Sequence, residues 1–116
     1  MTRKRILFVD DEIAVLEDLK GAVGDQAHVW ETVYVVGGAA AVDELARSRF
    51  DVVVCDASMP GIDGSAVLRK VKTEHPATVR IVLSGQSERE AVMRILPIAQ
   101  QFVSKPCDGQ MLRSVI

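Results

Sequence analysis

At 116 residues the chain is long enough for one domain and too short for two, and a hydrophobic content of 48% supplies a sizeable core and argues against disorder. The net charge is −2 with both signs mixed along the sequence, which argues against a nucleic-acid or membrane surface driven by charge. No apolar run approaches membrane-spanning length, and the run behind the basic start Arg3-Lys4-Arg5 is too short for a signal peptide, being interrupted by Asp10 and Asp11.

Lys4 to Val9 reads as the first strand, and Asp10, Asp11 and Glu12 open a helix whose positive end suits acidic residues. Ile13, Leu16, Leu19 and Val23 fall near helical spacing as its apolar face, and Gly24 is its stop. The second strand lies within Val29 to Val36. Glu31 and Thr32 interrupt it, which suits a strand near the sheet edge. Gly37-Gly38 breaks it without forming a dinucleotide fingerprint. A short Ala-rich helix follows over Ala39 to Arg47, then a third strand over Asp51 to Cys55. Pro60-Gly61 and Gly64 mark a loop. The next helix runs from Ser65 to Glu74 with Val67, Leu68 and Val71 as its apolar face, and ends at Pro76. Val79 to Leu83 is the fourth strand. Ser87 and Glu90 match a capping box for a helix reaching Leu96, which Pro97 stops. Gln101 to Ser104 is the fifth strand. Asp108 caps a short last helix.

Short continuous apolar runs such as Val52-Val53-Val54 read as strands buried on both faces, and five βα units with right-handed crossovers put helices on both sides of a parallel sheet. Such a sheet brings the strand ends to one edge, where ligands bind in this fold class. Asp10 and Asp11 follow the first run, Asp56 the third, Ser84 the fourth and Lys105 the fifth. Asp56 taken alone reads equally as a residue that only caps a turn. Together these ends gather three carboxylates, one hydroxyl and one ammonium.

Two carboxylates about 4 Å apart repel by roughly 4 kcal/mol at an effective dielectric near 20. A hard divalent cation offsets that, and all-oxygen ligands favour Mg²⁺ or Mn²⁺ over zinc. Lys105 then acts as a point charge on a phosphate and Ser84 as a hydrogen-bond donor to it. A carboxylate can itself accept a phosphoryl group, and phosphoryl transfer needs mainly positioning and charge neutralisation. No His stands at a strand end as a general base, and His28 and His75 fall in loops. Cys55 reads as a small core residue. With Cys107 it forms neither a zinc site nor a disulfide framework, which suits a reducing cytoplasm.

Phe8-Val9-Asp10-Asp11-Glu12, Asp56-Ala57-Ser58-Met59-Pro60 with Gly64 downstream, Ser84, and Lys105-Pro106 together resemble the receiver domain of bacterial two-component response regulators. The resemblance covers essentially the whole chain. It implies a flavodoxin-like (βα)5 α/β fold, with Asp56 as phospho-acceptor and Mg²⁺ held by Asp10, Asp11, Asp56 and the backbone carbonyl of Ser58. It also implies Ser84 and Phe102 as the switch pair and Lys105 as the lysine that meets the phosphate. Phe102 reads equally as a plain core residue. By the same resemblance a histidine kinase or phosphotransfer protein donates the phosphoryl group, and the face of the fourth helix, fifth strand and fifth helix changes. A homodimer through that face is a further expectation, with no direct nucleic-acid or membrane contact by the domain. Pro97 departs from the family's usual helix end. The short final helix suggests a receiver cut from a longer cytoplasmic regulator, and the local texture is similar to receivers joined to HDOD or HD-type output domains.

Two other functions compete. A receiver-like adaptor working without phosphorylation is disfavoured by the complete acidic set with Ser84 and Lys105. A flavodoxin-like cofactor binder needs a phosphate-cradling loop where Asp10-Asp11-Glu12 stands, and an aspartyl phosphatase needs a second Asp where Ser58 stands. On the favoured reading the only catalysis is the chain's own phosphorylation and dephosphorylation.

Overall fold

Strands and helices alternate along the chain in the computed structural model, which describes residues 3–24, 29–57, 59–85, 89–105 and 109–116. The first half holds β1 (Lys4–Asp10), α1 (Ile13–Val23), β2 (Trp30–Val36), α2 (Gly38–Arg47) and β3 (Val52–Asp56). The second holds α3 (Gly64–Glu74), β4 (Val79–Ser84), α4 (Arg89–Ile95), β5 (Gln101–Ser104) and α5 (Gly109–Val115). The sheet is parallel throughout in the order β2-β1-β3-β4-β5, with β2 at an edge as expected. The strand order reverses at β1. That leaves the carboxyl ends of β1 and β3 side by side at the fold's natural crevice.

The continuous apolar runs of the central strands arise because each strand serves two cores. Leu7, Val9, Val53, Cys55 and Val82 point to one face and pack with Leu45, Val67, Leu68, Val71 and Ile95 of α2, α3 and α4. Ile6, Phe8, Val54, Ile81 and Leu83 point to the other and pack with Leu16, Leu19, Val23 and Leu112 of α1 and α5. The period of two along each strand sorts alternate residues between the layers. Each aliphatic side chain buried this way contributes about 1.5–3 kcal/mol. Trp30 opens β2 and is buried in the second layer. There Phe8 stacks on Tyr34 with ring centroids 5.0 Å apart.

Two expectations are corrected. Ile13 is 65% exposed, so it is not part of the apolar face of α1, which Leu16, Leu19 and Val23 form. It occupies the first position of α1, level with the sheet edge. Asp10 belongs to β1 rather than to the helix: its Oδ1 accepts the Glu12 amide at 3.0 Å and so holds the entry to α1. Ser87 of the expected capping box lies outside the described residues.

Asp63 caps α3. Its Oδ1 accepts the Ala66 amide at 3.0 Å and the Ser65 hydroxyl at 2.7 Å. The Ser65 bond, then the Ala66 amide, hold its carboxyl below the ordinary value against the opposing effect of burial. Asp63→Ala is expected to cost about 1 kcal/mol in urea melts at neutral pH. A depressed carboxylate stabilises above its unfolded value and loses that contribution as pH falls through the folded one. The difference between native and variant chains therefore shrinks on acidification.

Candidate functional site

Parallel pairing carries the polar strand ends to one edge. Asp10 closes β1, Asp56 closes β3, Ser84 closes β4, and Lys105 follows β5. Backbone bonds fix these ends: Gly37 N–H donates to Asp10 O at 3.0 Å, Ala57 N–H to Leu83 O at 2.9 Å, and Lys105 N–H to Ser84 O at 3.0 Å. Carboxylate oxygens of Asp10, Asp11 and Asp56 come within 4.8 Å of one another. Asp10 and Asp56 are buried and Asp11 half-buried.

Lys105 bridges the pair. Its Nζ donates to Asp56 Oδ1 at 2.9 Å and stands 3.2 Å from Asp10 Oδ2. Burial pulls the ammonium's pKa down, but the hydrogen bond and charge of Asp56, with Asp10 behind, outweigh it and hold it above the ordinary lysine value. Asp10 goes the other way from its neighbours' help. Burial pushes its carboxyl up, against the Glu12 amide and Lys105, and a bond with Asp11 adds to the rise. At neutral pH the two contributions to stability have opposite signs, although each makes stability fall as pH rises through its own range. The Lys105 contribution is full below the ordinary lysine value and is lost as pH rises through the folded one. Ionising Asp10 costs stability as pH rises through its folded value.

One ammonium does not neutralise three carboxylates. Among the described residues, Asp10 Oδ2 is buried and accepts no aligned hydrogen bond. A buried carboxylate oxygen in that position, among all-oxygen donors, fits a hard divalent cation. Ser58, whose carbonyl was the fourth expected ligand, lies outside the described residues.

Ser84 is half-buried at the end of β4, next to β3 in the sheet. Phe102 on β5 is 37% exposed, which removes the plain core reading. Cys55 is buried and donates to Asp56 O at 3.4 Å. Burial, then the charges of Asp56 and Asp10, push its thiol well above its ordinary value, so it is a core residue and not a nucleophile. His75 follows α3 at the opposite end of the sheet, and His28 lies outside the described residues.

Gly38, read from the sequence as a strand breaker, and Gly64, read as a loop marker and part of the family resemblance, turn out to shape the site. Gly64 packs so tightly that a Cβ there would overlap the Asp56 carbonyl oxygen and come within 2.9 Å of Ala57 O. Gly38 meets the Ile62 carbonyl in the same way, binding α2 to the loop after β3.

A model described as the response regulator receiver domain matches residues 6–116. The response regulator PleD of Caulobacter vibrioides is 34% identical over 113 residues, 93% of this chain and 24% of that protein. The hydrogenase transcriptional regulatory protein HoxA of Cupriavidus necator is 33% identical over 103 residues, 87% of this chain and 21% of that protein. The chain thus spans less than a third of the length of the curated relatives it matches. Among solved structures, the REC domain of AraT, a response regulator from Geobacillus stearothermophilus, superposes with a TM-score of 0.87 at 27% identity, over 98% of this chain and 90% of that one. The signal receiver domain of an HD domain-containing protein from Pseudomonas fluorescens Pf-5 gives 0.87 at 25% identity, over 97% and 90%. Among the described residues, no helix is long and apolar enough to cross a membrane.

Proposed function

This chain belongs to the response regulator receiver domain family of phosphorylation-dependent two-component signalling, and on that premise we propose that Asp56 is its phospho-acceptor. The supporting observation is the convergence on Asp56 of two further aspartates and Lys105 at the carboxyl edge of the sheet. A carboxylate oxygen of Asp56 attacks the phosphorus of the donor. A new O–P bond forms as the donor's P–N or P–O bond breaks, and the electron pair leaves with the donor. Lys105 balances the charge that builds on the phosphoryl oxygens, and the Ser84 hydroxyl donates to one of them. Hydrolysis of the same acyl phosphate returns Asp56, so the chemistry turns over only on the chain's own side chain.

Asp10, Asp11, Asp56 and the Ser58 carbonyl would hold Mg²⁺, or Mn²⁺ in its place. The cation supplies charge neutralisation at the phosphoryl oxygens when bound. Asp10→Asn is expected to raise the melting temperature by a few degrees in the presence of a chelator, because a buried carboxylate is neutralised. It should also abolish the rise that Mg²⁺ gives the native chain. Calorimetric scans with and without Mg²⁺ check both.

The donor is a histidine kinase or phosphotransfer protein. Phosphorylation draws Ser84 inward and shifts the face of α4, β5 and α5, with Phe102 as the moving aromatic and a homodimer forming through that face. Its partial exposure on β5 supports that role, since a side chain open to solvent has room to turn. The much longer relatives support reading this chain as the receiver part of a cytoplasmic regulator with an output domain. The competing adaptor function needs no phosphate. Incubation with acetyl phosphate and Mg²⁺, followed by intact mass, separates the two. A gain of one phosphoryl group that needs the metal supports the switch. No gain, with a donor that labels another receiver, favours the adaptor.

A further inference from the structure

The described residues form a second concavity at the amino ends of the strands, across the sheet from Asp56. It is a cleft of about 440 Å³ between the start of β1, the 48–51 connection into β3 and the 75–78 connection into β4. That volume suits a small molecule. Arg3, Arg5 and Arg49 line it with His75, against Asp51 and Glu74. The chain as a whole carries −2, so this end gathers positive charge that the rest does not have.

Three guanidinium groups line the cleft against two acids, of which one is ion-paired and the other, among the described residues, hydrogen-bonded only to backbone. Asp51 Oδ2 accepts the Arg5 amide at 2.8 Å, and Glu74 pairs with Lys70. Arg5 is held by Glu31, and its Nη1 donates to Arg49 O at 2.6 Å. The Arg49 side chain is exposed and has no carboxylate partner among the described residues. Behind the wall stands Arg80, 8% exposed on β4. Its guanidinium donates to the carbonyls of Ile98 at 2.7 Å, Thr78 at 3.1 Å and Pro76 at 3.4 Å, and to no carboxylate among the described residues. Two of those carbonyls belong to the turn that walls the cleft. A buried guanidinium bonded only to carbonyls keeps its full charge and favours an anion nearby. The helices α2 and α3 also end at this edge, but each terminus is worth about half a negative charge, less than one guanidinium.

The walls are braced in advance. Thr78 Oγ1 donates to Phe50 O at 2.7 Å, Asp51 N–H to Arg5 O at 2.8 Å and Val79 N–H to Asp51 O at 2.9 Å. A pre-formed wall lowers the ordering cost of binding.

We propose that this cleft binds a small oxyanion, the phosphate or carboxylate group of a small molecule, with Arg49 as the side chain that meets it. A planar guanidinium pairs with either group through two parallel N–H bonds. The site needs neither a metal nor phosphorylation of Asp56.

The test is a titration of the isotope-labelled chain, read by amide shifts, with pyrophosphate in one arm and citrate in the other. A chelator is present and ionic strength is held constant with chloride. Saturable shifts are expected at Arg49, Asp51, His75 and Thr78. The arm that saturates at the lower concentration assigns the group as phosphate or carboxylate. Arg49→Gln and Arg49→Glu should weaken binding by about tenfold or more, the loss of a charge-assisted hydrogen-bonded pair, while exposed Arg69→Glu on α3 leaves it unchanged. Shifts that do not saturate in either arm, that centre on Lys105, or that persist with equal affinity in both Arg49 variants would overturn the proposal.

Discussion

Asp56→Asn is expected to gain no phosphoryl group from acetyl phosphate and Mg²⁺, under conditions that label the native chain. An amide oxygen carries no full charge with which to attack phosphorus, and the amide nitrogen does not substitute for it. Losing about 4 kcal/mol of transition-state stabilisation is enough to slow labelling about a thousandfold. The variant keeps the volume of a buried residue at the end of β3, so it should fold. Lys105 loses its 2.9 Å partner at full charge but keeps Asp10 at 3.2 Å. Intact mass of both chains over the same time course is the measurement. A phosphoryl group still carried by the Asn variant would move the acceptor to Asp10 or Asp11 and sink the assignment of Asp56.

The second large effect is on the frame around that side chain. Gly64→Ala puts a methyl group into the Asp56 carbonyl oxygen and against Ala57 O. Both obstacles are backbone, so no rotamer change relieves the overlap. The first turn of α3 must move off the end of β3, taking the Asp63 cap with it. A loss of about 1–3 kcal/mol is expected, typical of overpacking a tight contact. Urea unfolding gives the number, with an unchanged slope marking a true stability effect. Gly21→Ala is the internal contrast. Gly21 is exposed in α1 with nothing within 4 Å of a Cβ. There the methyl group only removes backbone freedom from the unfolded chain, so a gain of about 0.5–1 kcal/mol is expected. Equal effects at the two glycines would mean that packing against Asp56 O is not what constrains Gly64.

The sheet and its polar edge were legible because a parallel strand buried on both faces leaves a continuous apolar run, and the first polar residue after it marks the carboxyl end. Asp10, Asp56 and Ser84 are those first polar residues, and Lys105 stands one place further on, after Ser104. Val67, Leu68 and Val71 were equally plain, since helical spacing on α3 coincides with real burial. Ile13 has the same spacing and is exposed, because periodicity along a helix does not say where the sheet beneath it stops. Arg80 was invisible for a different reason. A charge inside a strand reads as solvated, and the carbonyls that bury it come from Pro76, Thr78 and Ile98, which only the fold brings together. The roles of Gly38 and Gly64 were hidden in the same way, because what excludes a side chain there is backbone from another segment.

The placement of Trp30 has an optical consequence. It is the chain's single tryptophan, and it sits in the α1 and α5 layer opposite Lys4, at the end of the sheet away from Asp56. Intrinsic fluorescence therefore follows the collapse of that layer and is nearly blind to what happens to the aspartate. Watching phosphorylation by light calls for a second indole introduced at the other end, whereas unfolding already carries its own signal.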